Sequence, residues 1–214
     1  MKNNLWVLVL LAMSCTDPKE EKLPIMGRKE ISQKEVNGEM VADTVYHQIG
    51  DFFFVNQDSL EVTHDTFKDQ IYIADFFFTS CPTICPIMKT QMLRVYDEIQ
   101  NMDDVKILSH TIDPEYDTVA LLKDFAERLG VTSDKWHFVT GEKEIIYDAG
   151  QRSYMVTALE DSSQPGGFVH SGAFILVDKD RRVRGLYDGT KADQVDRLIS
   201  ELAVLRKEYE VTLN

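Results

Sequence analysis

A continuous strand-like run, apolar apart from Asp75, spans Ile71 to Phe78 (IYIADFFF) and is followed two residues later by Cys81-Pro82-Thr83-Ile84-Cys85-Pro86. That junction limits the folds open to the chain. A strand without polar alternation is buried on both faces, so it belongs in the middle of a sheet with other layers above and below. A helix is predicted from about Pro86 to Gln100, with Met88, Met92, Val95 and Ile99 on its inner face. The Phe76-Phe77-Phe78 run reads as core, and so does Met88 one turn into the helix.

The remaining elements alternate in type over one domain. Short strands are expected at Asp51 to Val55, Leu60 to Thr63, Val105 to Ile112, Trp136 to Thr140 and Asp180 to Leu186. Tyr154 to Leu159 and Phe168 to Val177 read as paired strands around the loop Glu160 to Gly167. Asp113-Pro114-Glu115 is expected to open a helix that stops at Gly130, since Asp caps, Pro suits the first turn and Glu favours the dipole. Further helices are expected at Glu142 to Ser153 and Lys191 to Glu208. This order suggests an α/β fold, a thioredoxin-like sandwich with a central mixed β-sheet flanked by helices. The 214 residues are 43% hydrophobic and 28% charged, which suits one soluble core. A net charge of −13 disfavours nucleic-acid binding, which needs a basic face.

The first residues, MKNNLWVLVLLAMSC, have the layout of a secretory signal peptide and are too short for a membrane-spanning helix. Leu11-Ala12-Met13-Ser14-Cys15 resembles a relaxed bacterial lipobox, so Cys15 is expected to carry lipid. The expected organisation is a signal peptide over 1–14, a lipidated N-terminus and tether over 15–44, and the thioredoxin-like domain over 45–214. Asn37-Gly38 marks a short hairpin within the tether.

Cys81 and Cys85 are then the only thiols of the mature chain. At a strand–helix junction, unpaired N–H groups and the helix dipole favour thiolate, the form that binds soft metals or attacks disulfides. With i to i+4 helical spacing the two side chains point one way, about 6 Å apart along the axis. That serves either one shared metal ion or a disulfide. Structural zinc wants four protein ligands, and no second Cys pair exists. Two thiolates with one imidazole suit copper better. The candidate third ligand is His170, where a Gly-rich loop enters a strand; His47, His64, His110 and His137 compete, and His110 is the serious rival.

Cys-Pro-Thr-Ile-Cys-Pro, then Ile112-Asp113-Pro114-Glu115-Tyr116-Asp117-Thr118, then Val169-His170-Ser171 resemble the Sco/SenC family in order and spacing, over roughly Ile49 to Arg206. The resemblance implies a thioredoxin-like, membrane-anchored protein. It would bind one copper per monomer, Cu(I) or Cu(II), through Cys81, Cys85 and His170, with Asp113 close by to orient His170 or tune the site's charge. It further implies assistance in building the dinuclear copper site of cytochrome c oxidase subunit II. The implied place is the bacterial cell envelope, lipid-anchored and facing the periplasm, with a second copper chaperone or a thiol reductant as a further partner. Many relatives use a transmembrane anchor, whereas this chain has the lipobox-like Cys15.

Two other functions follow from the same thiols. A thiol–disulfide reductase would cycle a Cys81–Cys85 disulfide without needing His170, although the usual redox motif has two intervening residues and this chain has three. A thiol peroxidase would need a cation beside its thiolate, for which Arg94 and Arg152 are the nominal candidates. A purely structural lipoprotein leaves the thiol pair unexplained.

Overall fold

Strand β5 (Ile71–Phe77) is buried at every position because packed layers cover both of its faces and a strand lies along each edge. Parallel β6 (Val105–Thr111) lies on one side and antiparallel β10 (Ala173–Val177) on the other. The computed structural model describes residues 22–160 and 168–212. The sheet continues from β10 to β11 (Val183–Asp188) at one edge. From β6 it runs through parallel β7 (Trp136–Thr140) to antiparallel β3 (Phe53–Asn56) and β4 (Glu61–Thr63). Seven strands therefore form a mixed central sheet, ordered β11-β10-β5-β6-β7-β3-β4, as the thioredoxin-like reading expects.

Alternation along β5 divides the two layers. Asp75 and Phe77 face α1 (Ile84–Glu98) and α2 (Val119–Leu129), where Lys89 and Phe125 meet them. Phe76 faces the other side and packs on Tyr154, His110 and the backbone at Gly150. Helix α4 (Ala192–Thr212) lies beside α1, joined by the Arg94–Asp196 ion pair. Buried Arg184 bonds Asp178 and Glu208, and it also donates to the carbonyls of Leu23 and Pro24. The earliest described residues are thereby held against the domain.

Several expected elements change shape. The segment Asp113-Pro114-Glu115 is a tight turn, with the N–H groups of Tyr116 and Asp117 donating to the Asp113 carbonyl. The helix begins only at Val119, where the Thr118 hydroxyl accepts from Leu121 N–H. The helix expected to reach Ser153 ends at Asp148 as α3 (Lys143–Asp148) and opens into a π turn over Ala149–Ser153. There a Gly150 Cβ would stand 3.1 Å from Ala158 and 3.4 Å from Phe76, so the close approach needs glycine. Strand β11 starts three residues late because the Asp178 carboxylate holds a turn, accepting from the N–H groups of Asp180 and Arg182.

The single strand expected over Phe168 to Val177 breaks at Gly172, which has φ +64°. Its first part, β9 (Phe168–His170), leaves the sheet to pair with β8 (Ala158–Glu160), placing His170 opposite Ala158. The hairpin read from Asn37-Gly38 spans β1 (Lys29–Val36) and β2 (Glu39–Tyr46). Its turn residues have φ of 54° and 86°, the paired positive values of a type I′ turn. Nearly every side chain of this ribbon is exposed.

The interior also holds neutral histidines. His110 is fully buried, stacked on Phe76 at 4.7 Å and edge-on to Phe54 and Tyr154. Burial depresses its pKa to about 4, and burial does the same at His137. A histidine whose folded pKa lies below its unfolded value stabilises the fold above about pH 6.5 and loses that contribution as pH falls toward 4. Chemical denaturation is expected to show a decline of about 2–3 kcal/mol per group over that window. His110→Phe should flatten one group's share.

Candidate thiol and metal site

The chain leaves β5 at the C-terminal end of the parallel strands, the end at which open α/β sheets collect ligands. Phe78, Thr79 and Ser80 carry it to Cys81, whose N–H donates to the Phe78 carbonyl at 3.3 Å. Helix α1 starts at Ile84, so Cys85 is its second residue and Cys81 precedes it. The expected i to i+4 pair along one helix is therefore corrected. Thr83 at the N-cap has φ −114° and ψ −90° and makes no side-chain cap, so the backbone bends between the two cysteines. The bend still brings the thiols into hydrogen-bond contact with each other.

Their surroundings differ. Cys85 is buried, which drives its thiol pKa far up, against the Phe78 backbone and the positive charge of Lys89. Burial also pushes the Cys81 thiol up, but hydrogen bonds from the Thr83 and Cys85 backbone, the Cys85 thiol and the Thr83 hydroxyl outweigh it. The balance leaves Cys81 below the ordinary value. The Thr83 hydroxyl lies 3.6 Å from the Cys81 sulfur. Both cysteines are buried and no disulfide joins them in this structure. They open onto a cleft of about 260 Å³ whose walls include Phe78, Phe125 and Leu129, with Lys89 also lining it.

The loop before Cys81 is anchored by Asp117, a residue of the DPEYDT segment that sequence reasoning left without a role. Its carboxylate is fully buried and accepts from the Thr79 N–H and from the hydroxyls of Thr79 and Thr111. It thereby ties the ends of β5 and β6 together. Asp113, four residues earlier, is half-buried; desolvation and then the charge of Asp117 hold its carboxyl above the usual range.

The backbone of His170 is bracketed over the cysteine loop. Two residues before it, Phe168 packs on Phe78 with ring centroids 5.0 Å apart. Two residues after it, a Cβ on Gly172 would lie 3.5 Å from Ile84, which stands between the cysteines. The His170 side chain lies outside the described part of the structure, as do Cys15 and residues 161–167. Among the described residues, no three His, Cys, Asp or Glu side chains form a metal-holding group.

The rival histidines are engaged elsewhere. His110 is enclosed by aromatic rings on the Phe76 face, His137 Nδ1 contacts Asn56, and His47 contacts the Ser153 carbonyl. His64 packs edge-on against Phe52. The two arginines nominated for a peroxidase are surface partners, Arg94 of Asp196 and Arg152 of Asp148.

The SCO1/SenC family profile matches residues 42–205. The chain belongs to the SCO1/SenC family. A SCO1/SenC family lipoprotein from Bacillus anthracis superposes with a TM-score of 0.69 at 25% identity, over 75% of this chain and 95% of that one. BsSco, described as a member of the Sco family of cytochrome c oxidase assembly proteins with a disulfide switch, gives 0.66 at 30% identity, over 74% and 93%. Arabidopsis thaliana ScoI with copper bound gives 0.59 at 25% identity, over 72% and 97%.

For this Sco/SenC chain, Asp117→Ala should leave the Thr79 N–H and two threonine hydroxyls without their acceptor. The expected cost is about 2–3 kcal/mol in denaturant unfolding. The same change should speed iodoacetamide labelling of Cys81, which in the native chain is expected to label ahead of Cys85 because its pKa is the lower of the two.

Proposed function

We propose that this chain is a membrane-anchored metallochaperone that delivers copper to the dinuclear copper site of cytochrome c oxidase subunit II. The observation that carries this reading is the convergence at the end of β5. There two thiols touch, the Phe168 ring packs on Phe78, and Gly172 lies against the Ile84 side chain. Copper is the cargo, one ion per monomer, and soft thiolates with one imidazole are the donors that Cu(I) prefers. Cys81, Cys85 and His170 hold it. Asp113 acts from the neighbouring strand end, orienting His170 or adjusting the charge around it. The copper-bound Arabidopsis relative and the description of BsSco as an oxidase assembly protein support the cargo and the partner.

Delivery proceeds by ligand exchange. Acceptor thiolates replace the three ligands one at a time, each displaced sulfur taking up a proton, so the ion is never released to solvent. The apolar cleft beside the thiols gives the acceptor a surface on which to approach. Lipidation at Cys15 would hold the domain at the periplasmic face of the cell envelope, which agrees with the lipoprotein described in Bacillus anthracis. No helix among the described residues is long and apolar enough to cross a membrane.

The inequality of the two thiols favours a second activity at the same place. Of the two buried thiols, hydrogen bonds hold Cys81 below its ordinary pKa and burial raises Cys85, the inequality expected of an attacking and a resolving thiol. As a thiol–disulfide reductase, the chain would reduce the acceptor's copper-site cysteines and end as a Cys81–Cys85 disulfide.

Anaerobic titration of the reduced protein with Cu(I) against a competing chelator tests the main reading. One tightly held copper is expected, abolished by Cys81→Ser or Cys85→Ser and weakened at least tenfold by His170→Ala. Full copper affinity in the cysteine-free protein would end the copper proposal. Thiol-dependent binding indifferent to His170 would move reduction to first place.

A further inference from the structure

Beside the π turn at Ala149–Ser153 lies a cavity of about 480 Å³, lined among the described residues by Arg28, His47, Gln151, Arg152 and Met155. Its wall holds two guanidiniums and no carboxylate, in a chain with 36 acidic and 23 basic residues. Direct contacts hold the segments that carry the two arginines against His47. The His47 backbone N–H donates to the Arg28 carbonyl at 3.0 Å, and its ring Nε2 donates to the carbonyl of Ser153, the neighbour of Arg152, at 2.8 Å. A Cβ on Gly27 would stand 2.8 Å from the His47 Cβ, so the backbone just before Arg28 lies against this residue. Asp148 engages Arg152 through Nε, at 2.9 Å, and leaves its terminal nitrogens available. The Arg28 side chain makes no hydrogen bond or ion pair among the described residues. The backbone that presents Gln151 and Arg152 is irregular twice over: it forms the π turn, and Met155 has φ +58° without being glycine. Both irregularities collect at functional sites, and the copper reading uses neither.

We propose that this cavity is a binding site for a phosphate ester, held by the guanidiniums of Arg28 and Arg152 and by the Gln151 amide. Guanidinium is the side-chain group whose paired N–H donors match phosphate oxygens two at a time. Gln151 gives one amide hydrogen to the Ala158 carbonyl at 3.4 Å and keeps a second to donate. A bare phosphate would fill only part of the space, so room remains for the alcohol esterified to it. Two sources carry that chemistry, a soluble phosphate ester and a phospholipid headgroup. The place of the cavity bears on the second. The Leu23 carbonyl is bonded to Arg184, and Leu23 follows Cys15 by eight residues, at most about 29 Å of extended chain. A lipid on Cys15, as proposed above, would keep Arg28 near the phosphates of a bilayer. The site involves neither the thiols nor copper, so it stands or falls apart from the delivery reading.

The test is arginine footprinting of the full chain with phenylglyoxal in phosphate-free buffer, each modified arginine being located by mass spectrometry. One arm adds glycerol 3-phosphate to the chain in detergent. The other places the chain in vesicles of phosphatidylglycerol, with phosphatidylcholine vesicles as the reference. Labelling of Arg28 and Arg152 is expected to slow together, while Arg128 on α2, paired with Asp124, keeps its rate. The half-protecting concentration of glycerol 3-phosphate at Arg28 should rise about tenfold in Arg152→Gln, the loss expected for one charge-assisted contact. Arg28→Gln should do the same for protection of Arg152. Arg128→Gln removes an equal charge elsewhere and should change protection by less than about twofold. Protection by the soluble ester alone assigns the site to a soluble phosphate ester. Protection only by phosphatidylglycerol, beyond that in phosphatidylcholine and lost in Arg152→Gln, assigns it to a lipid headgroup. Protection in neither arm would overturn the proposal. So would Arg28 protection that survives Arg152→Gln, or that falls equally in Arg128→Gln.

Discussion

The buried carboxylate of Asp117 is the joint from which the thiol site hangs. It gathers the segment leaving β5, the end of β6 and its own turn through three hydrogen bonds in a place that water does not reach. A buried, hydrogen-bonded carboxylate tolerates little displacement, since each lost bond costs about 1–3 kcal/mol. The loop from Phe78 to Cys81 therefore has a firm base even though it belongs to neither strand nor helix. Everything downstream inherits that base: the bend at Thr83, the meeting of the two sulfurs and the start of α1.

The two cysteines differ because the fold treats them differently. Cys85 is built into a helix that packs against the sheet through Met88, Met92 and Val95, and its sulfur inherits the low polarity of that core. Cys81 stands just outside the helix, where backbone N–H groups and the Thr83 hydroxyl can serve its sulfur. A regular helix through both would have given the two sulfurs similar surroundings.

Much of this was legible in the amino-acid order. The run from Ile71 to Phe78 announced a central strand, and the cysteines announced the chemistry. The missing parts depended on contacts that local pattern does not encode. Asp113-Pro114-Glu115 carries good helix-start chemistry, yet the demand of Thr79 and Thr111 for a buried acceptor pulls Asp117 inward and delays the helix to Val119. The break at Gly172 was hidden because glycine in an apolar run signals a bend only when a neighbour such as Ile84 is known. Lys89 and Asp75 did leave a trace: a carboxylate inside an otherwise apolar strand, and an ammonium among Cys85, Met88 and Met92 on the helix's inner face. Each is costly when buried alone, so two such intrusions of opposite charge imply a partnership. Burial patterns taken one element at a time do not reveal it.

The β1–β2 ribbon has its own geometric consequence. Met26 N–H donates to the Val183 carbonyl and Ile49 N–H to the Arg181 carbonyl, while His47 N–H closes onto Arg28. The chain thus departs from the body at the first residue of β11 and returns two residues before it, so the ribbon is an excursion with nearly shared endpoints. Loop-closure entropy grows only slowly with the number of residues enclosed, so the length of such an excursion is nearly invisible to the core. Adding or removing residues in the ribbon therefore costs the thiol-bearing body little.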